Sequence, residues 1–183
     1  MPHEALLTLL NNHVPRDEFE WDMWLRTIEF VETHPDCFER TLLVGHVTAS
    51  AWIVSPDRSQ VLLMHHRKLG RWFQPGGHCD GDPDVLRVAI KEAQEETGVK
   101  ARPVEAEIFD VDVHSIPARP GEPSHFHYDI RFLLEAGPLD EINSNAEAKE
   151  VRWVPMEEVA LYNSSESILR MQRKTLPNLD IRR

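Results

Sequence analysis

The sequence predicts a layered α/β domain preceded by a helical extension, on two observations. Segments with strand texture flank one strongly amphipathic helix near residues 83–97, and a further helical segment follows the last of them. Before residue 45 the pattern is helical throughout.

Residues 3–11 read as a short helix. Asp17, with Glu20 three residues on, forms a capping box, and Trp24, Thr27, Ile28 and Val31 follow at helical spacing until the chain breaks at "HPDCF". From His46 the texture changes. "HVTASAWIV" alternates small or polar residues with apolar ones, and "VLLMHH" follows the turn-like "SPDRSQ", so two adjacent strands are expected. "VEAEIFDVDVHSI" and "HFHYDIRFLLEA" read as two more strands around the Pro/Gly-rich loop "PARPGEPS". "EVRWVPMEEV" supplies another strand, and "SSESILRMQRK" a closing helix capped by Ser164 or Ser165. The division is residues 1–44 as a helical extension packed on the domain and residues 45–183 as the domain itself.

Composition narrows the function classes. A chain of 183 residues, 41% hydrophobic, can bury one sizeable core. Its net charge of −11 disfavours nucleic-acid polymers and anionic membranes as partners, and an anionic substrate would need a cation as intermediary. Cys37 and Cys79 fit neither a disulfide framework nor a CxxC knuckle, and neither a signal peptide nor a membrane-spanning run is apparent; a cytoplasmic location is expected.

The central helix carries the chemistry. Asp82 followed by Pro83 reads as its start, Gly98 as its stop, and Val85, Leu86, Ala89, Ile90 and Ala93 as its buried stripe. Glu92, Glu95 and Glu96, at i, i+3 and i+4, lie side by side. Two carboxylates about 4 Å apart repel by roughly 4 kcal/mol near a protein surface, so three together call for protons, basic partners or a divalent cation. Hard oxygen ligands suit Mg²⁺ or Mn²⁺. A solvated acidic face is the plain alternative, but "QPGGH" just upstream brings glycine backbone, Gly76 included, within reach of a metal or phosphate.

The stretch from Gly77 through "KEAQEETGV" resembles the Nudix box, G-x5-E-x7-R-E-U-x-E-E-x-G-U with U bulky and aliphatic; Gly77, Glu92, Glu95, Glu96, Gly98 and Val99 match, and Ala93 is a small stand-in for the aliphatic residue. The resemblance covers about residues 45–175. It implies a Nudix-type α/β/α sandwich with a mixed sheet, glutamates that bind Mg²⁺ (or Mn²⁺), and pyrophosphate hydrolysis of a nucleoside diphosphate linked to another moiety. Metal-activated water would be the attacking group. Glu92 or Glu147, the latter in "EAKEVRW", is the candidate base; Gly76, Glu92, Glu95 and Glu96 form the metal set. Arg67, Lys68, Arg71 and Arg131 are candidates for phosphates, and Trp72 or Phe73 for stacking on a base. Two positions depart from the box: Pro83 stands for the first glutamate and Lys91 for the arginine, a matched loss for which Asp82 or Asp84 would pair with Lys91 instead. The other readings are a catalytically silent Nudix-fold nucleotide-binding module and, through the N-terminal helices, a homodimer.

"HVTASAWIV", "QPGGHCDG" and "HFHYDIRFLL" are also similar to the isopentenyl-diphosphate isomerase branch of this fold. That likeness implies a metal site at His46, His78, His125 and His127, with His125 and His127 on one face of a strand and a nitrogen-rich set suited to Zn²⁺, Mn²⁺ or Fe²⁺. Gly76 stands where the isomerase has its catalytic cysteine, so isomerase activity is not expected.

Overall fold

The computed structural model describes residues 2–67, 69–137, 140–143 and 148–176. Two helices come first, α1 (Pro2–Asn12) and α2 (Glu18–Thr33). Strands β1 (Gly45–Val54), β2 (Gln60–His66), β3 (Arg71–Phe73) and β4 (Gly76–His78) lead into α3 (Val85–Thr97). Then come β5 (Arg102–Pro103), β6 (Asp110–Ile116), β7 (His125–Glu135) and β8 (Ala148–Pro155), followed by a 3₁₀ turn, α4 (Val159–Tyr162) and α5 (Glu166–Thr175).

The helix ends follow from local chemistry. Asp17 caps α2, its carboxylate accepting from the Glu20 amide at 2.8 Å. The Glu20 side chain reaches back one residue further than a capping box requires, accepting from the Arg16 amide at 2.8 Å. For α3 the cap expected at Asp82 sits two residues later. Asp84 accepts from the Arg87 amide, while Asp82 accepts from the Asp84 amide and turns the chain across Pro83 before the helix begins. Gly98 ends α3 at φ 76°, a left-handed position that a side chain would strain. Residues 104–109, expected to be strand, lie mostly outside one, and β6 begins at Asp110. The segment read as strand through Val159 turns helical after Pro155.

All eight strands form one mixed sheet. β1 and β7 run parallel at its centre, paired from Gly45↔Phe126 to Val54↔Glu135. The other pairings are antiparallel, with β4 and β2 sharing the opposite edge of β1. On one face Val47, Ala49, Ala51 and Ile53 of β1 join Ile130, Phe132 and Leu134 of β7 under α3, and Leu6, Leu10, Phe30 and Val31 of α1 and α2 enter the same core. Each large apolar side chain fully buried there contributes about 1.5–3 kcal/mol. On the other face, Trp52, Val54, Val61 and Leu63 pack beneath Ile168 and Met171 of α5. Trp52 also donates its indole N–H to Thr175 Oγ1 at 2.8 Å. Further along β1 that face turns polar, through Ser50, Thr48 and His46, all buried. No helix among the described residues is long and apolar enough to cross a membrane.

Candidate functional site

The three glutamates of α3 differ in setting. Glu96 is 5% exposed, and its Oε2 accepts from the Gly76 amide at 2.8 Å, tying the helix to β4. Glu92, with a side chain 17% exposed, lies against Gly77, where a Cβ would sit 2.6 Å from Glu92 Oε2. Only glycine admits that carboxylate so close to the loop. Glu95 is 56% exposed. Lys91 Nζ stands 3.6 Å from both Glu92 and Glu95, so it pairs along the helix and not with Asp82 or Asp84, which both pair with Arg87. The three carboxylates and the glycine cradle beside them make a hard-oxygen donor set of the kind that fits a divalent cation. Glu147 lies outside the described residues, as does Lys68.

β4 has two sides. Gly77 faces α3, whereas His78, opposite Thr48, is on the polar side with the other histidines. His46, His125 and His127 offer ring nitrogens that all lie within 4.8 Å of one another. His78 packs beside them, its centroid 5.0 Å from His46 and 5.1 Å from His127, but outside that nitrogen group. His114, not singled out from sequence, adds an edge 5.4 Å from His127; β6 aligns it with His127 through the pairing His114↔His127. Its sequence signal was the alternation "DVDVH", whose every second residue shares a face. Burial, reinforced by neighbouring imidazoles, lowers His46 to about 4 and His127 to about 2, and also lowers His78. These rings are therefore neutral at pH 7.

Arg40 is a second residue that sequence reasoning missed. It grips Asp80 with both ends of its guanidinium, at 2.5 and 2.7 Å, and its charge is felt by both His78 and Glu92. The pair is half-exposed and puts a cation near both clusters.

The other basic candidates separate. Arg67 and Arg71 are exposed, with Arg67 donating to the Ala148 carbonyl at 3.3 Å and Arg71 lying over Phe73. Arg131 is buried, 3% exposed, and its guanidinium is engaged by Asp110, Asp112, Asp129 and Ser167, so it braces the sheet and is not presented at the surface for a phosphate. Trp72 is half-buried, stacked on His65 and edge-on to Tyr162, and Phe73 is half-buried beneath Arg71.

Comparisons with known proteins bear on family and fold. A family model described as the NUDIX domain matches residues 45–175. The Mycobacterium tuberculosis protein named "Putative 8-oxo-dGTP diphosphatase 3" is 31% identical over 112 residues, 57% of this chain and 49% of that one. A Streptomyces rubellomurinus CMP-5'-(N-acetyl-N-hydroxy-3-aminopropyl)phosphonate hydrolase is 30% identical over 121 residues, 61% of this chain and 53% of that one. The chain thus spans about half the length of the curated relatives it matches. Among solved structures, a C. elegans Ap4A hydrolase binary complex superposes with a TM-score of 0.58 at 18% identity, covering 70% of this chain and 93% of that one. This last likeness is one of fold.

Proposed function

The chain belongs to the Nudix family, and from that premise we propose that it is a divalent-cation-dependent pyrophosphohydrolase of the cytoplasm, cleaving a nucleoside diphosphate linked to another moiety. The observation that carries this reading is the glutamate set itself, with Glu92 and Glu96 held against Gly76 and Gly77 by a loop that no larger residue would permit. The small-molecule hydrolases among its relatives support a substrate of that class.

Glu92, Glu95 and Glu96, with the Gly76 backbone, are the groups that would hold Mg²⁺ or Mn²⁺. When bound, the cation supplies charge neutralisation at the diphosphate and a water of lowered pKa. The protein's own part is positional. Glu96 fixes the loop through the Gly76 amide, and Glu92 accepts the proton of the water whose oxygen bonds to phosphorus as the bridging P–O bond breaks. Glu147 is the second candidate for that proton. Arg67 and Arg71, both exposed, are the cations available to the leaving phosphate. Residues 1–44 act as an extension of the domain, with Leu6, Leu10, Phe30, Val31 and Phe38 lodged in its core.

The experiment is product analysis by chromatography over a panel of nucleoside diphosphate derivatives with Mg²⁺ and with Mn²⁺. Glu95→Gln and Glu96→Gln are each expected to lower turnover by at least roughly 100-fold while leaving the circular dichroism unchanged, because glutamine keeps the acceptor for Gly76 and removes only charge. Undiminished turnover in either purified variant would overturn the reading.

A further inference from the structure

We propose that His46, His125 and His127 form a binding site for a divalent first-row transition metal, with Zn²⁺ as its archetype, on the face of the sheet opposite the α3 carboxylates. The proposal stands on the histidines alone and does not depend on the diphosphate reading.

The first observation is a missing partner. His46 is 2% exposed, yet neither of its ring nitrogens makes a well-formed hydrogen bond, and the Leu42 backbone is the main-chain group that acts on the ring. Leaving a buried polar group so poorly satisfied costs about 1–3 kcal/mol. The ring is surrounded by other imidazoles, those of His127, His78 and His125 being centred 4.8, 5.0 and 5.0 Å away.

The second observation is an orientation. His125 Nδ1 lies 2.9 Å from the Pro123 carbonyl, an acceptor, so Nδ1 carries the proton and Nε2 carries the lone pair. A ring N–H donated to a backbone carbonyl is how a metal-binding histidine is usually held and its tautomer fixed. The freed Nε2 points at His127 Nε2, 3.2 Å away. Were His127 to donate its own proton across that gap, the pair would be satisfied but His46 would remain orphaned.

The third observation is spacing. Zn–N bonds of about 2.0–2.1 Å at the tetrahedral angle put neighbouring ligand nitrogens roughly 3.3–3.4 Å apart. The His125–His127 pair stands at 3.2 Å, and all three nitrogens fall within 4.8 Å. The His46 ring is held by no well-formed hydrogen bond that would oppose a small adjustment toward the other two. Glu122 Oε1, 3.7 Å from His125 Nε2, and His78 stand at the rim, leaving the fourth position to one of them or to water. Three imidazoles select Zn²⁺, Co²⁺ or Fe²⁺ over Mg²⁺, which prefers oxygen.

The test uses the full chain, stripped with a chelator and titrated calorimetrically with Zn²⁺ and Co²⁺ in saturating Mg²⁺, so that the carboxylates are occupied. One equivalent should bind tightly, and Co²⁺ should show the intense visible absorption of a four-coordinate, nitrogen-ligated ion. His46→Ala and His127→Ala should each weaken Zn²⁺ at least roughly 100-fold, with His127→Gln as the substitute should the alanine variant fail to fold. The double variant Glu92→Gln/Glu96→Gln should keep the equivalent. The proposal is overturned if no Zn²⁺ binds in the presence of Mg²⁺, if the Co²⁺ spectrum is that of a six-coordinate oxygen site, or if binding survives the histidine variants and disappears with the glutamates.

Discussion

One side of β7 presents His125, His127, Asp129 and Arg131 in succession, and the two halves of that row end up in opposite situations. At the Arg131 end α5 lies across the sheet and every charge meets another. Arg131 reaches Asp110, Asp112 and Asp129 at 2.8 to 3.2 Å, Arg170 grips Asp110 through two bonds of 2.8 Å, and Lys174 pairs with both Asp110 and Glu20. Burial pushes the Asp112 carboxyl up, and the Arg131 charge, joined by His114 and Arg170, more than reverses it, holding it well below the usual range. At the His125 end, imidazoles face one another and neither His46 nitrogen makes a well-formed hydrogen bond. Buried polar residues are therefore no mark of function by themselves. A cluster that completes its own bonds is scaffold; one that leaves them open is where the proposed ligand would add the missing partner.

The largest expected effect breaks the closed half. Asp110→Ala removes the carboxylate shared by Arg131, Arg170 and Lys174 and leaves three buried cations short of one compensating charge, so a loss of about 3–5 kcal/mol is expected in urea denaturation. A loss under about 1 kcal/mol would mean that the network is surface-like and the contrast false.

A somewhat smaller effect comes from acid. Burial alone would raise Glu20, but the hydrogen bond from His13, the Lys174 charge and the Arg16 amide bring it from 4.5 to about 2. A carboxyl with a depressed folded-state pKa binds fewer protons folded than unfolded, so its contribution is whole above about pH 4.5 and is lost as pH falls towards 2. The difference of some 2.5 pH units corresponds to roughly 3 kcal/mol. Stability measured from pH 5 to pH 2 should fall by that amount beyond the rest of the chain's acid response, and Glu20→Gln should flatten the curve in that window.

How much of this was legible in the sequence depends on the range of the interaction. The five longer strands, α2 with its Asp17 cap and the carboxylate row of α3 were readable because period and capping are local, whereas β3, β4 and β5, of two or three residues each, are too short to carry a period. The start of α3 was misplaced because Asp82 and Asp84 are both good caps, and only the Arg87 amide decides between them. Arg131 read as a phosphate ligand because an arginine on a strand gives no sign of α5, some forty residues on, folding Ser167 and Arg170 against it. His125 and His127 were legible as a pair through alternation along β7, and His46 and His78 only through the isomerase likeness; His114 joined them when β6 paired in register beside them, and Arg40 when it met Asp80 across the loop. The glycines told more than the charges: Gly76 and Gly77 marked the point where α3 touches the sheet.

The smallest effect on stability is the sharpest test of the comparison, because it asks whether the open half is truly open. His46→Leu replaces a buried ring that makes no well-formed hydrogen bond with an apolar side chain of similar volume. Removing an unsatisfied polar group in favour of an apolar one is close to neutral or stabilising, so in chelator the variant should differ from the parent by no more than about 1 kcal/mol. Zn²⁺ should then separate them. At 100 times its dissociation constant the ion would stabilise the parent by about 2.7 kcal/mol and leave the variant where it was. Should His46→Leu instead lose about 3 kcal/mol in chelator, as expected of Asp110→Ala, the His46 nitrogens would have to be engaged in the metal-free fold, and the two halves of the β7 row would be the same kind of structure after all.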